Sequence, residues 1–312
     1  MRLPVTFLLP VKNGKDFLAH SLANISWMAG QSDEILVIDD HSDDGSDSIL
    51  DSFKLSMKNL VVLDNPGSGL VSALNFGIAV ATNNLIARVD VDDTYLSNRI
   101  DKQLECFNPS TVAVFSDYTF FSTKDRDLGT IYSAVHPLAV SVSLVSSQRT
   151  AHPSVVFSRE AAVEVGGYRE SDFPAEDLSL WLRLSRVGEF RSVPLPLLNY
   201  RMNPLGISST KRSEMLNKKT FLLNEIGLNT SDLGRVENSI PDILTAYENL
   251  TNKSERSILL AKDLFSISKL DKNYANFQTL GFSILREELL SGHFLPKTSK
   301  LLIEKLKRRY LR

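Results

Sequence analysis

Sulfur chemistry has little to work with in this sequence, because Cys106 is the only cysteine among 312 residues. A lone cysteine closes no internal disulfide, so a reducing compartment, the cytoplasm, is expected. No activating partner stands beside Cys106, which reads as structural. Long apolar runs are missing too: none approaches the roughly 18 residues of a membrane span. The opening MRLPVTFLLPVKNG is too short and too interrupted by proline for a signal peptide. Bulk charge is also scarce, at net −2, so no global field attracts nucleic acid. Repeats and low-complexity tracts are absent.

What is present is the material of a globular protein: 43% of residues are hydrophobic, enough for a sizeable core. Short apolar runs rich in strand formers alternate with helical spacing. Strands are predicted at Val5–Val11, Glu34–Ile38, Leu60–Leu63, Leu85–Val89 and Val112–Phe115. Helices are predicted between them, at Phe17–Met28, Ser46–Ser56, Gly69–Ala81 and Arg99–Phe107. That alternation predicts an α/β fold with a mostly parallel sheet covered by helices. Residues Ser122–Ser147 have no clear type. A strand is expected at His152–Phe157 and helices at Glu160–Val165 and Asp177–Val187. Beyond about Ser209 the composition becomes helical, which divides the chain into a domain at 1–209 and a helical C-terminal region at 210–312.

Ligands of such sheets bind at the carboxyl ends of the strands. Here those ends carry Asn13, Asp39-Asp40 and Asp90-Val91-Asp92-Asp93. Carboxylates so crowded repel one another, and a hard cation relieves the repulsion. Mg²⁺ or Mn²⁺ takes one or two protein carboxylates and completes its shell with diphosphate oxygens and water. Two readings stand for Asp40: a hydrogen-bond acceptor for a pyrimidine ring N–H, or a cap on the next helix. Glu176 and Asp177 open a helix, where acids complement the dipole, or Asp177 acts as a general base. His152 is either structural or near a diphosphate. Arg201 is either a surface ion-pair partner or a cation for a leaving phosphate.

Six segments, taken in order, resemble family 2 of the inverting glycosyltransferases, which have the GT-A fold. They are VTFLLPVKNG, EILVIDDHSDDGS, GLVSALNFGIAVATNNLIARVDVDD, HPSVVFSREAAVEVGGYRE, EDLSLWLRL and YRMNPLGIS. The resemblance covers about residues 3–210. It implies a Rossmann-like nucleotide-sugar domain in which Pro10 and Asn13 lie in the nucleotide loop. By the same resemblance Asp40 pairs with the base, Asp92 meets ribose or metal, and Asp93 is a metal ligand. Asp177 matches the catalytic base with Glu176 beside it, and Asp90, His152 and Arg201 match donor or acceptor contacts. Two positions depart from the pattern: Asn203 stands where histidine is common, and Leu74 where arginine is common.

The activity so implied is transfer, with inversion, from a nucleoside diphosphate sugar, UDP-linked by preference, to a glycan or lipid-linked acceptor in surface polysaccharide assembly. Three rivals share parts of the pattern. A phosphatase of the haloacid dehalogenase type fits Asp90-Val91-Asp92-Asp93-Thr94, although it would carry that motif on its first strand. A sugar-phosphate nucleotidyltransferase would need a Gly-rich loop that PVKNGKDF lacks. A non-catalytic sugar-nucleotide-binding protein would not need every acidic position filled. The basic stretch Lys297–Arg312 alternates with leucines. It is expected either to pack as a terminal helix or to lie on an anionic membrane as a peripheral contact.

Overall fold

The computed structural model describes residues 2–124, 126–146 and 149–225, with residues 242, 250, 256, 257, 259–261, 263, 264, 281 and 284. The tail at Lys297–Arg312 lies outside the described residues, as does most of the predicted helical region after residue 225.

The first half is regular: β1 (Val5–Val11), α1 (Lys15–Met28), β2 (Glu34–Asp39), α2 (Ser46–Lys54), β3 (Leu60–Asp64), α3 (Leu70–Val80) and β4 (Leu85–Arg88). Next come β5 (Thr94–Tyr95), α4 (Arg99–Leu104), β6 (Thr111–Phe121), β7 (Asp127–Ile131) and α5 (Pro137–Val145). The rest is β8 (Val156–Ser158), α6 (Arg159–Glu164), α7 (Glu176–Leu184), β9 (Glu189–Arg201), α8 (Ile207–Thr210) and α9 (Arg212–Glu225).

All strands join one sheet in the order β3-β2-β1-β4-β8-β6-β9-β5, with β7 paired to β6. Strands β3, β2, β1 and β4 are mutually parallel, so their carboxyl ends share one edge. The other half mixes directions: β8 runs antiparallel to β4 and β6, and β6 runs parallel to β9 over most of its length. The parallel ladders hold most of the paired residues.

Strand alternation divides the core between the two faces. Phe7, Leu9, Ile35 and Val37 point to the α1–α2 side with Leu18, Leu22 and Ile25. Leu8, Leu36 and Ile38 point to the α3 side with Leu74, Phe115, Trp181 and Leu178. Leu260, Ala261, Leu264 and Ile284 belong to that second cluster, so the segment after residue 225 shares the core of the sheet domain.

Three segments differ from the sequence expectation. Where a strand is expected at His152–Phe157, His152–Ser154 forms a 3₁₀ turn with Pro153 in its first turn, and β8 covers only Val156–Ser158. The Ser/Val-rich run becomes α5, buried nearly all round, which is why it shows no amphipathic period. β9 is hidden in the sequence by Pro194 and Pro196. Its register with β6 shifts around Asp117, the partner of Pro196, where a missing N–H is tolerated.

Candidate active site

The carboxyl edge of the parallel strands gathers the loops after β1, β2 and β4. After β1 the chain turns through Asn13, a non-glycine residue with φ 54. The Asn13 side-chain oxygen accepts the Asp43 N–H at 2.9 Å, and its own N–H donates to Ser42 Oγ at 2.9 Å, so the first two loops are stitched together. Pro10 is buried in β1 opposite Ile38. The helix-capping carboxylate of the second loop is Asp44, which accepts from Ser46 N–H at 3.0 Å, rather than Asp40. Asp40 instead accepts from Asn65 Nδ2 at 2.6 Å and from the Gly69 N–H at 2.9 Å, and Lys12 Nζ lies 3.4 Å away. It therefore holds the turn that starts α3.

Beyond β4 the three aspartates differ in environment. Asp90 pairs with Arg88, Oδ1 to Nη2 at 2.7 Å, and its N–H donates to the Tyr95 hydroxyl at 2.8 Å. Asp92 is half-buried and accepts weakly from Asn203 Nδ2 at 3.4 Å. Burial, then the charge of Asp90, raises its pKa. Asp93 is buried; its Oδ1 accepts the Arg201 N–H at 2.8 Å, and its Oδ2 has no partner among the described residues. Burial, then Asp90 and Asp92, pushes its pKa well up. Arg201 also donates from Nε to the Asp92 carbonyl at 3.0 Å and lies over the Phe17 ring.

Crowded carboxylates with raised pKa values, one of them holding an orphaned buried oxygen, suit a divalent cation. Among the described residues no three carboxylate, imidazole or thiol groups form a ready-made cage. That fits a hard ion taking few protein ligands and drawing the rest from a diphosphate.

The other half of the site sits at the start of α7. Asp177 is partly exposed and its Oδ1 accepts the Leu178 N–H at 2.6 Å. Burial raises its pKa, against the pull of that N–H and of the Lys219 cation. Glu176 is buried, and its Oε2 has no partner among the described residues; burial, then Asp177, pushes its pKa up to about 8. His152 packs on Trp181 of the same helix, ring edge-on, with its Nε2 2.7 Å from the Tyr168 hydroxyl. Burial, then Arg88, pushes its pKa well down, so the ring is neutral at pH 7.

Arg88 joins the two halves. Its guanidinium is buried, and its charge bears on Asp93, His152, Glu176 and Asp177 as well as on Asp90. Sequence reasoning passed over this residue, yet an arginine inside the apolar strand LIARV was a visible signal. Tyr168 was also missed. Asn75 of α3 brackets it, donating to the Tyr168 carbonyl at 2.9 Å and accepting its N–H at 2.8 Å. A Cβ on Gly167, where φ is +62, would fall 2.6 Å from Asn75 Oδ1, so that approach requires glycine. Leu74, at the departing position, is fully buried in the core. Cys106 is half-buried and its thiol is raised by burial, as an inert cysteine would be.

A twisted sheet with a carboxylate cluster at the crevice of its parallel strands and a second acidic pair across it defines a glycosyltransferase of the GT-A fold. Residues 6–142 match glycosyl transferase family 2. It is 29% identical over 189 residues to UDP-Gal:alpha-D-GlcNAc-diphosphoundecaprenol beta-1,3-galactosyltransferase of Escherichia coli, covering 58% of this chain and 67% of that protein. In fold it resembles TarS 1-349 of S. aureus, solved with UDP-GlcNAc, at TM-score 0.60 and 13% identity over 89% of this chain and 84% of that one. It also resembles the mannosyltransferase PcManGT of Pyrobaculum calidifontis, solved with GDP-Man and Mn²⁺, at TM-score 0.54 and 17% identity over 94% and 89%. The phosphatase and non-catalytic alternatives are not supported. Among the described residues no helix is long and apolar enough to cross a membrane.

Proposed function

We propose that this chain moves a hexose from a UDP-sugar to a hydroxyl of a lipid-linked glycan, with inversion, in the assembly of a surface polysaccharide. The observation that carries the reading is that Asp177 and Glu176 on one side, and Asp90 and Asp93 of the aspartate cluster on the other, all feel the one buried cation of Arg88. One side suits a nucleoside diphosphate and the other a hydroxyl awaiting a base. The E. coli relative is named for a UDP-sugar donor and a diphosphoundecaprenol-linked acceptor, which supports that choice of substrates.

Asp177 takes the proton of the acceptor hydroxyl as that oxygen attacks the anomeric carbon. The bond from that carbon to the diphosphate breaks on the opposite face, and the nucleoside diphosphate departs. Asn13 and Asp40 belong to the loops that receive the nucleotide. His152, kept neutral, orients groups beside the acceptor without adding charge. Asp92 and Asp93 would hold Mg²⁺ or Mn²⁺, which supplies charge neutralisation for the diphosphate when bound. Arg201 sets the aspartate loop through its two hydrogen bonds there. The enzyme works at the cytoplasmic face of a membrane, with Lys297–Arg312 as its peripheral contact.

The test is a panel of UDP-sugars offered with a GlcNAc-diphospholipid acceptor and Mn²⁺, following the glycolipid product and its anomeric configuration. Transfer with inversion is expected. Failure of UDP with Mn²⁺ to raise the melting temperature, together with no product from any donor, would sink the proposal.

A further inference from the structure

The turn that ends α6 delivers Tyr168 to a fixed place. Gly166 and Gly167 both take positive φ, 83 and 62, and the Gly167 N–H closes the helix on the Ala162 carbonyl at 2.8 Å. The amide of Asn75 then grips the next residue through both its N–H and its carbonyl, so the Tyr168 backbone has no slack. Its side chain is buried, and its ring centroid lies 5.5 Å from that of His152. Trp181 closes a second side of the imidazole, at 5.8 Å. Between these two rings His152 Nε2 meets the Tyr168 hydroxyl at 2.7 Å.

One hydrogen lies between those two atoms, and its owner decides what His152 can do. If Nε2–H donated, the phenol O–H would need another acceptor, and among the described residues Tyr168 has none for it. A buried donor left unmade costs its full desolvation. If Tyr168 donates, its hydrogen is satisfied and its oxygen keeps its lone pairs for the Arg88 cation, whose charge bears on both rings. Burial keeps the phenol protonated, and burial, then Arg88, keeps the imidazole neutral. A neutral ring that accepts at Nε2 carries its own hydrogen on Nδ1. Among the described residues His152 has no second hydrogen-bond partner, and it is half-buried, so that Nδ1–H is left for a ligand. We propose that the Tyr168 hydroxyl locks His152 as its Nδ1–H tautomer, which makes Tyr168 a positioning residue and His152 a hydrogen-bond donor to an oxygen of the acceptor sugar. The donor role rests on the reading of the α7 side as the acceptor side. His152 is then no rival to Asp177 as the base, because its one basic nitrogen is filled by the phenol.

The tautomer is read from enzyme labelled with ¹⁵N-histidine. Long-range ¹H–¹⁵N correlation spectra at neutral pH separate a protonated ring nitrogen from a bare one, and the His152 signals are identified by their loss in His152→Asn. The wild type should show Nδ1 protonated and Nε2 bare; the reverse overturns the proposal. Tyr168→Phe keeps the ring and deletes the hydroxyl, and a melting shift with UDP and Mn²⁺ equal to that of the wild type reports that it is folded. There the Nε2–H form should appear, whereas an unchanged Nδ1–H signal would show that some other contact sets the tautomer and overturns the lock. These spectra involve no acceptor, so they decide the lock even if the proposed transfer fails. The kinetic arm uses the GlcNAc-diphospholipid acceptor. Its kcat/KM should fall about tenfold in Tyr168→Phe, the worth of one hydrogen bond. An asparagine amide N–H can stand near the place of Nδ1 and a glutamine amide near that of Nε2, so His152→Asn should keep more activity than His152→Gln. Equal losses in that pair, in folded protein, overturn the donor role. If Tyr168→Phe does not fold, the wild-type spectrum and the His152 pair still decide.

Discussion

Arg88 Nη2 lies 2.7 Å from Asp90 Oδ1, and the arginine side chain is only 2% exposed. A guanidinium this deep in a sheet is stable only because carboxylates surround it, and those carboxylates depend on it in turn. Arg88→Met should therefore lower the unfolding free energy by about 3 kcal/mol, below the usual maximum for a broken buried pair because Asp90 is part-exposed. It should also weaken UDP binding in the presence of Mn²⁺. Arg88→Lys should recover part of the stability but less of the affinity, since an ammonium cannot form the same fork. Urea denaturation and calorimetry would check both, and a silent Arg88→Met would contradict the role given to this cation.

Glu176 predicts an unusual pH dependence of stability. Its folded pKa stands at about 8 against an ordinary 4.5, from burial and then Asp177. Between those values the unfolded chain releases a proton that the folded chain retains, so stability falls as pH rises. Above about 8 both states are ionised and the penalty is complete. Glu176→Gln removes the titration, so its melting temperature relative to wild type should climb from pH 4.5 to 8 and then level off. A constant difference across that range would mean that Glu176 titrates normally.

Much of the fold could be read from residue pattern because the elements around the donor edge obey simple periods. β1, β2 and β4 are short apolar runs ending in polar loops, and α1 and α3 repeat their apolar positions every three or four residues. β9 escaped because two prolines break its pattern, and α5 because a helix buried on all sides shows no period. The candidate site was legible as a set of residue types but not as an arrangement. Adjacent aspartates look alike in a sequence, yet Asp92 is half-buried and Asp93 buried against the Arg201 backbone. The tertiary partners that decide such differences, Arg88, Tyr168 and Lys219, are far apart in the chain or plain in character.

Asp177→Asn tests the base directly. The amide keeps the shape of the side chain and cannot take a proton. kcat should fall by roughly 10²–10⁴, the usual worth of a general base, with UDP affinity nearly unchanged. Near-wild-type turnover would remove Asp177 from the reaction and leave Glu176 as the remaining acid on α7.

The segment after residue 225 is expected to be indispensable to the sheet domain. Arg256 pairs with Asp117 on β6 and donates to the Ser133 carbonyl, and both charged side chains are 1% exposed. Asp263 pairs with Arg149 at 2.7 Å and accepts from Ser146 Oγ at 2.7 Å. Arg256→Met strands a buried carboxylate and should cost about 3–5 kcal/mol. Adding Asp117→Asn to that variant should recover part of the loss, because the stranded charge is gone. A protein ending at residue 209 should fail to fold, and a cooperative melt from it would refute this.

Gly77 on α3 packs closely against β1. A Cβ built there would fall 2.2 Å from Leu8 Cδ1, in the middle of β1. Alanine is otherwise the better helix residue by about 1 kcal/mol, so propensity alone predicts that Gly77→Ala stabilises. The clash opposes it: Leu8 is fully buried and has no free space to turn into, and overpacking a filled core typically costs about 1–3 kcal/mol. The clash should win, giving a net loss of up to about 2 kcal/mol. Pushing α3 outward also moves Asn75, and with it Tyr168 and His152, so acceptor turnover should fall more than the stability change alone explains. Leu8→Ala would leave a cavity when made alone, but combined with Gly77→Ala it makes room for the new methyl. The double variant should therefore be more stable than the sum of the two single losses, which a denaturation cycle would measure. Simple additivity would show that the helix adjusts without pressing on β1, and the link from Gly77 to the acceptor side would then be lost.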